Sequence, residues 1–123
     1  MAKVTEVAKV LIVDDEQSLL LLLQQIVEEQ GHQVLMADNG YQALQIIENQ
    51  QPVLVISDVM MPILDGYQLV EKIKSKPEWS WIKIVLISAA PINKTKAARA
   101  DDFLAKPYDL DTIDEVLERF IPS

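Results

Sequence analysis

Short apolar runs alternate with segments of helical periodicity along the chain, and this alternation constrains the fold more than any other feature. The apolar runs predict strands at residues 8–13, 33–37, 53–57, 82–87 and 102–105. The segments that follow them predict helices at residues 16–30, 40–49, 66–75, 92–99 and 110–120. Strands that alternate with helices favour a parallel sheet. Because the runs are continuously apolar, we expect a doubly wound α/β sheet with helices on both faces.

Turn and capping residues stand where this pattern needs them. Gly31 follows the first predicted helix, Asp65-Gly66 opens the third, and Pro77 ends it. The chain has 123 residues, 50% of them hydrophobic, which is enough for one compact domain with a buried core. Since no linker, repeat or low-complexity segment interrupts the pattern, we expect residues 1–123 to form a single domain.

Composition excludes several classes of function. The chain has no cysteine, so disulfides and thiolate metal sites are excluded. Its net charge is −8, from 11 basic and 19 acidic residues, which argues against direct binding of nucleic acid. No apolar run approaches the ~20 residues that span a bilayer, and the segment Met1–Lys9 is mixed and charged. We therefore expect a cytoplasmic protein that does not enter membranes.

Polar residues follow four of the predicted strands. Asp14 and Asp15 follow the first strand, Asp58 the third, Ser88 the fourth and Lys106 the fifth. In an open α/β sheet the carboxyl ends of the strands line one functional edge, so these side chains should converge. Three neighbouring carboxylates repel one another and favour a divalent cation, whereas a hydroxyl and an ammonium favour an anion. The pattern predicts a magnesium–phosphate site in which an aspartate carries the phosphoryl group.

These segments resemble the receiver domains of two-component response regulators. The matching segments, in chain order, are Leu11–Glu16, Ser57–Pro62, Asp65-Gly66, Leu86–Ala89 and Lys106-Pro107. The resemblance covers essentially the whole chain, and the segments are specific together rather than singly. It implies a flavodoxin-like (βα)5 fold with strand order 2-1-3-4-5. It also implies a signalling domain, a monomer or weak homodimer, that receives a phosphoryl group from a histidine kinase or histidine phosphotransfer protein.

The resemblance assigns the acidic residues to acceptor and metal roles. Asp58 would be the nucleophile that forms an acyl phosphate. Mg²⁺ would be held by Asp14, Asp15, Asp58 and the backbone carbonyl of Met60, because Mg²⁺ prefers oxygen ligands in an octahedral arrangement.

Further residues are assigned to the phosphoryl group and to a conformational switch. Lys106 would pair with a phosphoryl oxygen as a point charge, and Ser88 would donate a hydrogen bond to another. The backbone amides of Val59 and Ala89 would supply the remaining donors. Phe103 lies where receivers carry an aromatic residue that moves inward when Ser88 is drawn to the phosphoryl group; the alternative is a core phenylalanine on the last strand.

Two departures from the family pattern predict local differences. Only 17 residues separate Ser88 from Lys106, about four fewer than usual in the family, or roughly one helical turn. The predicted helix at 92–99 should therefore be short or irregular, and Arg99 stands where many receivers have glycine. At the positions that tune hydrolysis of the acyl phosphate, Met60 and Ala90 are both apolar. We expect slow dephosphorylation, unless another group positions the attacking water.

The first predicted helix carries a run of five leucines, Leu19 to Leu23. They cannot all face the core, since an amphipathic stripe covers only part of the helix circumference. We expect Leu20 and Leu21 to point outward and the core-facing residues to be Leu19, Leu22, Leu23 and Ile26. In receivers this helix docks the histidine-bearing helical bundle, so the exposed pair is either a docking surface or a merely tolerated one.

Two other functions compete with a phosphoacceptor. An aspartyl phosphatase of the haloacid dehalogenase type would carry a second aspartate two residues after the nucleophile, but Met60 occupies that position. An interaction module that binds partners without phosphorylation would tolerate loss of an acidic residue or of the lysine, and none is lost.

Overall fold

The computed structural model describes residues 8–121, so the N-terminal segment 1–7 and residues 122–123 of the predicted domain lie outside it. Its strands are β1 (Lys9–Val13), β2 (Gln33–Ala37), β3 (Leu54–Asp58), β4 (Lys83–Ser88) and β5 (Asp102–Ala105). Its α-helices are α1 (Gln17–Glu29), α2 (Gly40–Gln50), α3 (Gly66–Lys74) and α4 (Leu110–Phe120), and a short 3₁₀ helix covers Pro77–Trp79. No helix within residues 8–121 has the length and apolar character needed to cross a bilayer.

All five strands are parallel and lie in the order β2-β1-β3-β4-β5, which confirms the predicted topology. Alternate strand residues enter two separate core layers. Leu11 and Val55 pack on the side covered by α2 and α3, whereas Ile12 and Ile56 pack on the side covered by α1 and α4. Burial of each such side chain stabilises the fold by roughly 1.5–3 kcal/mol relative to exposure.

The predicted helix at 92–99 is wrong: residues 94–99 form successive turns, so four α-helices replace the expected five. Asn93 starts one isolated turn, in which its carbonyl accepts from the Ala97 amide (2.9 Å) and its side chain accepts from the Lys96 amide (3.0 Å). Only residues 89–101 join β4 to β5, close to the minimum of about a dozen for a parallel crossover. Because a helix rises only 1.5 Å per residue, a connection this short cannot span the crossover with a full helix, and turns are favoured.

Arg99 fastens this connection to the end of α3. Its guanidinium donates to the carbonyl of Lys74 (2.6 Å) and pairs with Glu71 (3.2 Å). The last carbonyls of a helix lack partners within the helix, and a positive charge there is favourable. Arg99, at the position where many receivers have glycine, therefore acts here as a side-chain cap for α3.

A second contact, here called the Asp101 cluster, consists of Asp101, Lys74 and Lys83. Asp101 lies 3.1 Å from the Lys74 ammonium and 3.8 Å from that of Lys83. Its side chain accepts from the Ile84 amide at 2.8 Å, and its own amide donates to the Ile84 carbonyl at 2.8 Å. Lys74 also donates to the Ile82 carbonyl at 2.7 Å. These bonds join α3, β4 and the start of β5.

Helix α1 lies in a different rotational phase from the predicted one. Leu20 is buried, so its predicted outward orientation is wrong, whereas Leu22 is exposed and Leu21 is exposed as predicted. The buried residues are Leu20, Leu23, Ile26 and Val27. Because the five successive residues are all leucine, the sequence does not indicate which of them face the core. The phase is set by packing against the sheet and α4, to which α1 is also joined by a Gln30–Asp114 hydrogen bond of 3.1 Å.

Candidate functional site

The sheet register brings the predicted polar residues to one edge. Val13 pairs with Ser57 in β3, so the next residue of each strand places Asp14 beside Asp58. Asp58 pairs with Ile87, and Ser88 pairs with Ala105, which is followed by Lys106. The side chains that were expected to converge therefore do so, because their strands end at the same level of the sheet.

Three carboxylates at this edge form a group that we call the acidic site: Asp14, Asp15 and Asp58. One oxygen of each lies within 4.8 Å of the others. Asp14 and Asp58 are buried, whereas Asp15 is exposed. Close carboxylate oxygens with one side open to solvent fit Mg²⁺, which binds oxygen ligands and keeps several waters. Within residues 8–121 the Met60 carbonyl accepts no hydrogen bond, which fits its predicted role as a further ligand.

Lys106 lies between the two buried carboxylates. Its ammonium is 3.2 Å from Asp58 Oδ1 and 3.5 Å from Asp14 Oδ2. The Lys106 amide donates to the Ser88 carbonyl at 2.8 Å, which extends the β4–β5 pairing to this residue. The following peptide bond, Lys106-Pro107, is cis. One ammonium thus serves two buried carboxylates, with a third carboxylate beside them.

Burial and this charge imbalance together shift the pKa values of Asp14, Asp58 and Lys106. Burial, together with the neighbouring Asp14 charge, raises the pKa of Asp58 although Lys106 opposes the rise. Burial also raises the pKa of Asp14, against the hydrogen bond from the Glu16 amide (2.9 Å) and the charge of Lys106. Burial lowers the pKa of Lys106, but the two carboxylates outweigh it and the net shift is upward. The two carboxylates are therefore shifted mainly by burial, and Lys106 by the two carboxylates it contacts.

The predicted phosphate donors differ in their availability. The Val59 amide donates to the Ile87 carbonyl at 2.9 Å, so its predicted role as a free phosphate donor is wrong in this structure. The reason is that β3 keeps pairing with β4 for one residue beyond Asp58. The amides of Met60 and Ala89 donate no hydrogen bond within residues 8–121. Met60 is therefore the first free amide after Asp58, which the sequence alone did not indicate.

Ser88 and Phe103, the residues predicted to form a switch, lie on the neighbouring strands β4 and β5. Ser88 is buried at the end of β4, and its hydroxyl accepts from the Ala90 amide at 3.1 Å. Phe103 lies on β5, pairs with Leu86, and is 40% exposed. The exposed position shows that Phe103 is not a core residue in this conformation. Met60 and Ala90, the predicted tuning residues, are both exposed.

Tyr108 is a further residue beside the site that the sequence did not indicate. Its hydroxyl is buried and has no hydrogen-bond partner in the part of the chain that the structure describes. Burial, with the charges of Asp14, Asp58 and Glu16, raises the pKa of Tyr108 to about 12. The hydroxyl therefore stays protonated at neutral pH. In the sequence, only its position two residues after Lys106 could have indicated that Tyr108 lies near the site.

Comparison with known proteins places this geometry in a defined group. The family model described as the response regulator receiver domain matches residues 10–118. Sporulation initiation phosphotransferase F of Bacillus subtilis is 32% identical over 118 residues, which are 93% of this chain and 94% of that protein.

Solved structures agree with this result. The receiver domain of a signal transduction histidine kinase from Syntrophus aciditrophicus has a TM-score of 0.83 at 31% identity, over 92% of this chain and 89% of that one. The response regulator protein TrrA of Thermotoga maritima, solved in complex with Mg²⁺-BeF, has a TM-score of 0.84 at 28% identity, over 93% and 99% of the two chains.

Proposed function

Since this chain belongs to the response regulator receiver domains and so is a phosphoacceptor domain of two-component signalling, we propose that its acceptor is Asp58. The observation that carries this assignment is the contact of Asp58 with Lys106 at 3.2 Å on the central strand β3. The other two carboxylates fit the role less well, because Asp14 is held by the Glu16 amide and Asp15 lies exposed at the rim.

The proposed reaction transfers a phosphoryl group from a histidine to Asp58. A carboxylate oxygen of Asp58 attacks phosphorus and the P–N bond breaks, with its electron pair staying on the histidine nitrogen. The imidazole leaves as a neutral ring because its other nitrogen carries a proton taken from water. Lys106 offsets the charge on the phosphoryl oxygens. The free amides of Met60 and Ala89 donate to those oxygens, and Ser88 donates from its hydroxyl. In this scheme the Met60 amide takes the place first assigned to Val59.

Asp14, Asp15, Asp58 and the Met60 carbonyl are the groups that would hold Mg²⁺. The support is the mutual proximity of the three carboxylates and the raised pKa values of the two buried ones. The related TrrA was solved with Mg²⁺-BeF. When bound, Mg²⁺ offsets negative charge on the carboxylates and on the phosphoryl oxygens. The chain itself positions the acceptor, because the register of β3 in the sheet and the contact with Lys106 hold Asp58 in place before any ligand binds.

We propose that Ser88 and Phe103 transmit the signal. The Ser88 hydroxyl can donate to a phosphoryl oxygen while it still accepts from the Ala90 amide. A shift of Ser88 toward the phosphoryl group would therefore carry the start of the β4–β5 connection with it. Phe103 is exposed and pairs with Leu86, two residues before Ser88. Movement of that connection would free space for the ring, and burial of the aromatic surface would favour the inward position.

The acyl phosphate should be long-lived. Hydrolysis needs a water aligned opposite the Asp58 oxygen, and a polar side chain near that path can orient it. Met60 has only a weakly accepting thioether, and Ala90 has no polar group. A long lifetime suits passage of the phosphoryl group to another protein.

The partner that supplies the phosphoryl group is proposed to be a histidine kinase or histidine phosphotransfer protein. It docks on the exposed pair Leu21 and Leu22 of α1, which replaces the pair first predicted. Leu21→Glu with Leu22→Glu should slow transfer from that kinase and leave labelling by phosphoramidate intact. Trp81→Glu is the matched control, since Trp81 is also exposed but lies before β4, at the other edge of the sheet. Equal loss in both assays would contradict the docking role.

Three further assignments, of location, oligomeric state and binding of nucleic acid, complete the proposal. The domain acts in the cytoplasm, as a monomer or weak homodimer, and it does not bind nucleic acid directly. The net charge of −8 supports the last statement.

One experiment tests the acceptor. Wild-type protein is incubated with phosphoramidate or acetyl phosphate and Mg²⁺, and its intact mass is measured before and after hydroxylamine. We expect one added phosphoryl group that hydroxylamine removes, and none in Asp58→Asn. A wild-type adduct that persists in Asp58→Asn would show that the acceptor lies elsewhere.

A further inference from the structure

The loop between β3 and α3 contains a strained residue, Ile63. Its φ angle is +71°, in the left-handed region. The Leu64 amide donates to the Pro62 carbonyl at 2.8 Å, which closes a three-residue turn centred on Ile63. Such positive-φ γ-turns are rare and strained. A β-branched residue is especially unfavourable there, because its branched Cβ is crowded by the backbone.

The loop itself imposes this backbone conformation. Met61 and Leu64 are both buried in the core layer beneath α2 and α3, so the chain must reverse between them within two residues. The first of the two is Pro62, whose ring fixes φ near −65°. The reversal therefore falls on Ile63. A glycine or asparagine would accept the same angle with less strain.

The end of the β3–α3 loop is fixed against its beginning, so the backbone cannot shift to relax the turn at Ile63. The Gly66 amide donates to the Val59 carbonyl at 2.9 Å. A Cβ at Gly66 would lie 2.6 Å from the Asp58 carbonyl oxygen, so the two ends of the loop are in direct contact. The loop thus begins and closes at the proposed phosphoacceptor.

Folding of this chain gains little from the side chain of Ile63. It is 77% exposed, more than any other large apolar side chain within residues 8–121. Met60, on the same loop, is 68% exposed. An isoleucine here adds strain to the backbone while 77% of it stays exposed, so folding by itself gives no reason for an isoleucine at this position.

We propose that Ile63 is a contact residue for the histidine-bearing protein that phosphorylates Asp58; this inference rests on the proposed function. The Asp58 side chain is only 8% exposed. A donor histidine must therefore reach inward to it, which presses the surrounding surface of the donor protein onto the loop that starts at Asp58. A small phosphodonor needs no such contact. Ile63 supplies apolar surface that becomes buried only in the complex.

Three variants separate the side chain from the backbone strain. Ile63→Ala removes the apolar surface and keeps a Cβ at positive φ, whereas Ile63→Gly removes both. Gln51→Gly is the matched control, because Gln51 also has positive φ (+49°) but lies between α2 and β3, at the opposite edge of the sheet. The donor is the purified histidine kinase that labels the wild-type protein fastest, and phosphoramidate serves as the small donor.

Both Ile63 variants should accept phosphate from the kinase about five- to tenfold more slowly than wild type. Their labelling by phosphoramidate should stay within about twofold, and Gln51→Gly should match wild type with both donors. Ile63→Gly should melt above Ile63→Ala by about 3–6 °C, because glycine relieves the strain.

Several results would overturn this contact. Kinase transfer at the wild-type rate in both Ile63 variants would do so, as would an equal loss with both donors, since Ile63 would then act within the site. A change in oligomeric state without a change in transfer would assign the surface to a second copy of the chain. Labelling of wild type by phosphoramidate but by no kinase would exclude the partner class. Failure of Asp58 as acceptor would appear separately, as an adduct in Asp58→Asn.

Discussion

Two clusters of carboxylate and ammonium groups lie against the same sheet, and they differ in their balance of charge. In the acidic site, Lys106 is the one ammonium within residues 8–121 that contacts the carboxylates of Asp14 and Asp58. In the Asp101 cluster, two ammonium groups contact one carboxylate, which also accepts from a backbone amide. The carboxylate of the Asp101 cluster is therefore fully offset by positive charge and hydrogen-bonded, whereas the two buried carboxylates of the acidic site share one ammonium.

This difference separates a structural from a functional arrangement of the same groups. A carboxylate that is paired with ammonium groups and hydrogen-bonded to the backbone holds elements together without needing a ligand. Buried carboxylates in excess weaken the fold, and their pKa values rise, until a cation offsets them. The acidic site therefore destabilises the ligand-free fold, and the same excess of carboxylates lets it bind Mg²⁺ and a phosphoryl group.

Removal of the central ammonium should separate the two clusters most clearly. Lys106→Met should slow phosphorylation by phosphoramidate about 100-fold, because a charge that stabilises the transferring phosphoryl group is lost. Lys74→Met, in the Asp101 cluster, should change that rate by less than about twofold while lowering stability. Initial rates from intact mass measure both. Similar rates in the two variants would show that the Lys106 contact has no special role.

The reverse test applies to stability. Asp101→Ala leaves the Ile84 amide without its side-chain acceptor and takes the carboxylate away from Lys74, which keeps only its carbonyl contacts. The free energy of unfolding should therefore fall by about 2 kcal/mol. Lys83→Ala is the control, because Lys83 is half exposed and 3.8 Å from Asp101. It should cost less than about 0.5 kcal/mol. Urea denaturation gives both values. An equal cost for the two variants would contradict the structural role of Asp101.

The mouth of the acidic site should set the lifetime of its phosphorylated form. Met60→Asn, Ala90→Glu and the double variant each place a polar group near the water path. We expect at least one to hydrolyse the acyl phosphate about tenfold faster than wild type. Loss of the phosphorylated mass over time is the measurement, with Mg²⁺ binding checked in parallel. Decay at the wild-type rate in all three would mean that another group positions the water.

Mg²⁺ should stabilise only through the acidic site. At a free Mg²⁺ concentration tenfold above the dissociation constant, stability should rise by about 1.4 kcal/mol. Asp15→Ala should reduce the shift in melting temperature and raise the stability of metal-free protein, because one repelling charge is removed. Lys83→Ala should keep the full shift. If protein treated with EDTA and protein loaded with Mg²⁺ melt alike, the site does not bind the metal.

The smallest expected effect is the pH dependence of metal-free protein. The raised pKa of Asp58 means that the native state binds its proton more readily than the unfolded state. Asp58 therefore destabilises the fold at neutral pH, and this effect fades as pH falls toward the ordinary value of 3.8. Asp58→Asn should be more stable than wild type at neutral pH, with an advantage that shrinks on acidification. A constant difference across that range would contradict the shift.

Much of the fold followed from local pattern. The predicted strands 33–37 and 102–105 have the observed bounds, and the others differ by one residue, because buried strands are continuous apolar runs between turn residues. The carboxylates and Lys106 meet as predicted, since parallel strands that end at one level place their next residues together. The roles of Asp58, Ser88 and Phe103 remain proposals that the experiments above address.

Three local predictions failed for physical reasons that the sequence does not display. The segment 92–99 had helical composition, but the length of the β4–β5 crossover and the anchor of Arg99 on α3 favoured turns. Leu20 was predicted outward because a run of leucines carries no phase information. The Val59 amide was predicted free, but β3 continued to pair with Ile87.

The sequence by itself determined the order of elements, the two-sided burial of the sheet and the set of polar residues at its carboxyl edge, because these depend on local periodicity and on where strands end. Only the tertiary structure decided which face of α1 is exposed, which amides beyond β3 are free, and that Ile63 carries a strained turn. Each of these depends on contacts between elements distant in sequence, and such contacts can override local preference by a few kcal/mol or less.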